Sequence, residues 1–189
     1  MTQEEALEIF KETGAMLEGH FLLSSGLHSP QYLQCALVLQ QPRIAERLCS
    51  ELASKFRNKK PTVVIAPAMG GIIVSYEVAR ALGAKSLFAE RVNGKMSLRR
   101  GFTLNKTDKV LVCEDVITTG LSTKEVVDVV NAHGVNLVGV GCLVYRAKDK
   151  IDFGVETKSI VSIDIPAYEP EECPLCKKGL PLVKPGSRS

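Results

Sequence analysis

Val110-Leu111-Val112-Cys113-Glu114-Asp115-Val116-Ile117-Thr118-Thr119-Gly120-Leu121-Ser122 sets an apolar, β-branched run directly before two adjacent carboxylates and a small, hydroxyl-rich turn. The run from Lys109 to Cys113 reads as a buried strand, Asp115 to Gly120 as a turn, and Ser122 to His133 as a helix closed by Gly134. Ser122 and Glu125 have capping-box spacing, which predicts a helix start just after the turn. The N–H groups of Thr118, Thr119 and Gly120, with the threonine hydroxyls, can then surround a phosphate at the positive end of that helix.

The same order of strand, turn and helix stands upstream. Thr62-Val63-Val64-Ile65-Ala66 is a short apolar strand, and Pro67-Ala68-Met69-Gly70-Gly71 is a glycine turn ahead of a helical pattern through Leu82. Ser86 to Glu90, Leu137 to Tyr145 and Ser159 to Ile163 supply three further strands, and Pro42 to Phe56 repeats at helical spacing with proline at its start. These alternations predict an α/β fold with a parallel sheet flanked by helices and ligands beyond the carboxyl ends of the strands. One domain is expected over 1–189: an N-terminal cap in 1–40, a core in 41–168 and an extended, proline-rich tail in 169–189. Within the cap, residues 3–13 read as a helix and Gly14 to Tyr32 as an irregular stretch.

Composition narrows the function. Hydrophobic residues make up 45%, ample for one core, and a net charge of +3 is too small to point to nucleic acid or a membrane surface. The acidic opening Met1-Thr2-Gln3-Glu4-Glu5 reads as a helix start and not as a leader, so a cytoplasmic protein is expected. Cys35, Cys49, Cys113 and Cys142 lie in apolar periodic segments and read as buried hydrophobes. Cys173 and Cys176 have metal-like C-x-x-C spacing. A tetrahedral zinc site needs two further ligands that the tail does not supply, and the pair stays open between metal, redox and packing roles.

The string from Val110 to Ser122 resembles the phosphoribosyl pyrophosphate (PRPP) motif of type I phosphoribosyltransferases: hydrophobic run, Glu-Asp, two hydrophobics, Thr-Thr-Gly and a small residue. The resemblance implies that fold, with an N-terminal hood. It also implies that Glu114 and Asp115 hold the ribose hydroxyls, and that Val116, Ile117, Thr118, Thr119, Gly120, Leu121 and Ser122 form the 5-phosphate loop. Pro67 to Ile72 resembles the family's pyrophosphate loop, which implies a cis peptide near Ala68-Met69 and places Met69 and Gly70 against PRPP.

Two more segments carry the resemblance to the orotate phosphoribosyltransferases. Phe21 to Tyr32 contains a Ser-Gly-x-x-Ser-Pro core like that of their N-terminal loop, with Ser24 where lysine is frequent, so Ser25 and Gly26 are candidates to offer backbone N–H groups to orotate. Thr118 is a further candidate orotate contact, and Arg146, ending a strand, is the candidate partner of orotate's carboxylate. His28 reads as a loop histidine. The basic segment Glu90 to Gly101 resembles their mobile catalytic loop, though it lacks the usual histidine. Arg91 and Lys95 are then the catalytic cations beside Asp115, with Arg99 and Arg100 as helpers or partners of acidic groups at the loop base.

That likeness implies transfer of phosphoribose from PRPP to orotate in pyrimidine synthesis, Mg2+ held mainly through PRPP and not directly by protein, and a homodimer sharing the loop between subunits. A purine base such as xanthine or adenine is the alternative substrate, and a PRPP-sensing regulator the alternative class.

Overall fold

The structure, a computed structural model, describes residues 1–23, 25–147 and 149–185; Ser24 and the tail end 186–189 lie outside them. Helix α1 (Gln3–Glu12) starts with a reciprocal capping box between Thr2 and Glu5. Strands β1 (Met16–Leu22) and β2 (His28–Leu33) follow as an antiparallel hairpin, then α2 (Cys35–Leu39) and α3 (Pro42–Ser54), the latter with proline in its first turn. The core continues through β3 (Val63–Pro67), α4 (Gly70–Leu82), β4 (Lys85–Val92), β5 (Lys95–Leu98), β6 (Lys109–Ile117), α5 (Leu121–Ala132), β7 (Asn136–Tyr145) and β8 (Thr157–Ser162). A last short helix, α6 (Pro174–Lys177), lies in the tail. None of the helices is long and apolar enough to cross a membrane.

The main sheet runs β5-β4-β3-β6-β7-β8, parallel throughout except for β5. Alternate residues feed two cores, as the strand period requires. Val64, Leu111 and Cys113 join α1 to α4 on one face, while Val63, Ile65, Val110 and Val112 meet Val126, Val127 and Val130 of α5 on the other. Burying each such Val, Leu or Ile contributes about 1.5–3 kcal/mol. The central strands are consequently closed on both faces, and their open carboxyl ends are left as the place for a site.

Four expectations change. Gly14 to Tyr32 is not irregular but a bulged hairpin. Gly19, the register shift between Glu18 and Phe21, and Pro30 blur the two-residue period that would announce it. The turn expected from Asp115 begins later, because β6 keeps pairing with β7 through Ile117 opposite Tyr145. Helix α5 is started by Gly120 at φ +74 with no side-chain cap; Ser122 and Glu125 instead bind Arg91, so the capping box is not formed. Finally, Glu90 to Gly101 is largely a second hairpin, β4-β5, turned at Asn93 and Gly94, whose φ values of +52 and +78 suit a two-residue turn.

The tail does not extend away from the body. Tyr168 exchanges backbone hydrogen bonds with His28, and Val183 donates to the His20 carbonyl while accepting from the Leu22 N–H. An isolated two-stranded hairpin is marginal in water, and these bridges give β1-β2 the extra partners it needs.

Candidate active site

The two glycine turns meet at the carboxyl ends of β3 and β6. Thr118, Thr119 and Gly120, followed by Leu121, Ser122 and Thr123, line a small cavity of about 50 Å3 together with Glu114, Val116 and Ile117. That is several times the room of one water and suits a phosphate-sized group. Gly120 is required there twice over. Its φ of +74 disfavours a side chain, and a Cβ would lie 2.8 Å from Ile151 Cδ1. The Thr119 hydroxyl accepts from the Leu121 N–H at 3.4 Å, so the loop is partly self-braced.

The second turn carries the cis peptide Ala68-Met69, as the family likeness implied, and Met69 is exposed just ahead of α4. Gly70 faces Asp115 so closely that a Cβ would sit 2.6 Å from its Oδ2. The second turn thus abuts the end of β6 at one carboxylate. Glu114 is buried next to it, and its Oε1 accepts from the Asp115 N–H at 3.2 Å, while the Val116 N–H donates to Asp115 Oδ1 at 2.9 Å. Burial first, then the neighbouring Asp115 charge, pushes the Glu114 carboxyl up to about 10; the Arg91 cation pulls modestly the other way. Glu114 is therefore protonated at neutral pH and can donate as well as accept.

Arg91 reaches across from β4 to the start of α5. Its Nε donates to Glu125 Oε2 at 3.0 Å and its Nη2 to Ser122 Oγ at 3.1 Å. Lys95 is exposed at the tip of the β4-β5 hairpin. Arg100 grips Glu90 with two hydrogen bonds of 3.1 and 3.0 Å, and Arg99 approaches it at 3.9 Å, so both serve the loop base. Sequence reading missed Glu125 and Glu90 as their partners. The Asn-Gly pair at 93 and 94 was the available signal for the hairpin.

Arg146 leaves the end of β7 half-buried, its N–H bonded to the Ile117 carbonyl at 2.8 Å and its Nη2 donating to Ser29 Oγ at 3.3 Å. Burial lowers its pKa, opposed by Tyr32. The contact joins the sheet end to the β1-β2 hairpin, whose connecting loop holds Ser25 and Gly26. Gly26, at φ +88, already donates its N–H to the Leu23 carbonyl, so it shapes the turn and does not offer that donor. The Ser25 hydroxyl accepts weakly from Leu27.

Residues 38–164 match the phosphoribosyl transferase domain family. The chain is 57% identical over 188 residues to the orotate phosphoribosyltransferase of Desulforamulus reducens, covering 100% of this chain and 98% of that one. It is 51% identical over 181 residues to the orotate phosphoribosyltransferase of Thermotoga maritima, covering 96% and 97%. Among solved structures, an orotate phosphoribosyltransferase from Aeropyrum pernix shares the fold with a TM-score of 0.70 at 24% identity, over 82% of this chain and 92% of that one. The contiguous phosphate turn, the acidic pair beneath it and full-length similarity converge: the chain belongs to the phosphoribosyltransferase family, on its orotate phosphoribosyltransferase branch.

Proposed function

We propose that this chain transfers the 5-phosphoribosyl group of PRPP to orotate, giving orotidine 5-monophosphate and pyrophosphate for pyrimidine synthesis. The observation that carries the reading is the close approach of the second helix-start turn to Asp115 on β6, one strand end that also leads into the turn at 118–120, with Arg146 at the end of the next strand bonded to Ile117. In this reading the cavity of Val116 to Ser122 takes the 5-phosphate, Glu114 and Asp115 take the ribose hydroxyls, and Met69 and Gly70 face the pyrophosphate. A protonated Glu114 beside the acceptor oxygens of Asp115 suits a cis-diol, which both donates and accepts.

Orotate lies between Thr118, Ser25 and Arg146, whose planar guanidinium matches a carboxylate. N1 of orotate attacks ribose C1 as the bond from C1 to the pyrophosphate oxygen breaks; the electron pair leaves with pyrophosphate, and the N1 proton is released to that leaving group or to water. No covalent enzyme intermediate forms. Arg91 and Lys95 supply mobile positive charge toward the departing oxygens.

Thr118 and Thr119 line the cavity, and Asp115, between the lining residues Glu114 and Val116, adds a carboxylate; all offer oxygen and fit Mg2+. In this reading the substrate's phosphates hold most of the ion, with Asp115 adjoining. When bound, Mg2+ neutralises charge on the leaving pyrophosphate. Met69, Ile73 and Tyr76 form an exposed apolar stripe on the first turns of α4, which supports a homodimer whose β4-β5 hairpin serves the neighbouring site. All six cysteines are free, as suits a reducing cytoplasm.

The deciding experiment follows orotate absorbance on adding PRPP with Mg2+, with adenine, hypoxanthine and xanthine run in parallel. Consumption of orotate alone is expected. Turnover of a purine overturns the base assignment, and tight PRPP binding without turnover replaces the enzyme with a sensor.

A further inference from the structure

Four soft ligand groups meet where the tail crosses the N-terminal hairpin, away from the phosphate turns. His20 of β1, His28 of β2, Cys173 and Cys176 place their ligating atoms within 4.8 Å of one another. His20 Nε2 lies 2.9 Å from His28 Nδ1, and Cys176 Sγ lies 3.3 Å from that same His28 Nδ1. Cys173 and Cys176 Sγ stand 3.5 and 3.7 Å from His20 Nε2. A tetrahedral zinc with bonds of about 2.0 Å to nitrogen and 2.3 Å to sulfur has edges of roughly 3.3 Å between nitrogens and 3.5 Å from nitrogen to sulfur. Four of the six pairs already stand within a few tenths of an ångström of those edges, and all six lie within 4.8 Å.

The local structure points the groups inward. In the antiparallel register Leu22 lies opposite His28, and His20, two residues back, shares its face of the ribbon, so both rings project to one side. Across from them, Cys173 precedes Pro174 at the start of α6, and the Lys177 N–H returns to the Cys173 carbonyl at 3.2 Å. That one-turn helix sets both thiols on a common side. His20 Nδ1 pairs with the Leu180 carbonyl at 2.9 Å. A carbonyl only accepts, so Nδ1 carries the hydrogen, and the Nε2 lone pair of the neutral ring faces the cluster. A metal-ligating histidine is commonly fixed in just this way by its other ring nitrogen. His20, His28 and Cys173 are buried, and Cys176 opens to solvent, giving an ion a way in.

We infer that His20, His28, Cys173 and Cys176 form a structural Cys2His2 zinc site that fastens the C-terminal tail to the N-terminal hairpin. All four positions are filled by protein, which marks a structural and not a catalytic zinc site. Two thiolates balance the ion's two charges, so its burial leaves no net charge. The sequence separation explains why spacing alone concealed it: the histidines lie about one hundred and fifty residues from the cysteines, 153 for His20 to Cys173. The site also brackets the loop that joins β1 to β2, and His28 is followed by Ser29, the residue that receives Arg146.

The test needs no substrate. Protein purified in zinc-supplemented medium is analysed for metal by mass spectrometry, stripped with a thiol-competitive chelator under reduction, and titrated with Co2+ and then Zn2+. The expected result is about one zinc per chain, and a Co2+ form whose visible bands show tetrahedral coordination with sulfur-to-metal charge transfer. Cys176→Ser, at the exposed position, should weaken Zn2+ at least tenfold while far-ultraviolet circular dichroism stays native. Absence of zinc together with no cobalt bands at equimolar Co2+ overturns the site and leaves a hydrogen-bonded thiol-imidazole cluster. Full zinc affinity retained in both Cys176→Ser and His28→Asn places the ion elsewhere and overturns it equally.

Discussion

The phosphate cavity and the hairpin-tail junction are built in opposite ways. Nearly every group around the cavity comes from one run, Glu114 to Thr123, where strand, turn and helix follow without interruption. The junction takes two residues from the start of the chain and two from its end, and holds them with backbone bridges at Tyr168 and Val183. The first kind of site is encoded by local backbone geometry and survives wherever that geometry forms. The second exists only once the chain has closed on itself, and its parts mean little singly.

That difference can be broken or sharpened by substitution. The largest effect is expected at Asp115, the β6 carboxylate against which Gly70 packs. Asp115→Asn should lower kcat/KM for PRPP by about 100-fold or more with little change in thermal midpoint. A stability loss matching the activity loss would make Asp115 a packing residue. Next comes Arg146→Ala, which should raise KM for orotate roughly 10- to 100-fold while leaving PRPP affinity in place, the span expected for a lost charge-assisted pair. Equal weakening of both substrates would remove the orotate assignment.

At Glu114 the expected effect is read as a pH dependence of stability. Its folded pKa of about 10 stands far above the ordinary carboxyl value of 4.5. Between those limits the unfolded chain has released a proton that the folded chain keeps, so stability falls as pH rises from about 5 towards 10. Glu114→Gln has no proton to lose, so its stability relative to the parent should grow across that range in denaturant titrations; a constant gap would place the buried carboxyl in a wetter setting. The smallest effect belongs to the exposed pair of Arg91 and Glu125. Glu125→Gln should leave stability almost unchanged, as surface pairs do, and shift KM for PRPP by no more than about threefold. A large loss of turnover there would show that α5 must hold Arg91 for catalysis.

The same contrast explains what the sequence made legible. The order of β3, α4, β6, α5 and β7, the two turns and the end-of-strand position of Arg146 follow from hydrophobic period and glycine placement, which are local properties. The β1-β2 hairpin stayed hidden because Gly19, a bulge and Pro30 interrupt alternation, and its stability comes from a tail some 140 residues away. The start of α5 was legible to within one residue, but not its cap: Gly120 takes the N-cap place, and Ser122 and Glu125 bind Arg91 instead of forming a capping box. Cys173 and Cys176 could be recognised as ligand-type residues, but their partner histidines could be found only in three dimensions.

The double grip of Arg99 and Arg100 on Glu90 has one more consequence. It clamps the root of the β4-β5 hairpin, and the clamp is followed at once by left-handed backbone at Arg100, φ +58, and Gly101, φ +74. An arm built this way is a preformed ribbon and does not have to be gathered from loose chain. Ordering a slack segment costs about 1–2 kcal/mol of conformational entropy for each residue fixed. A preformed ribbon confines that loss to its hinge, which is what the proposed approach of Arg91 and Lys95 to the substrate would require.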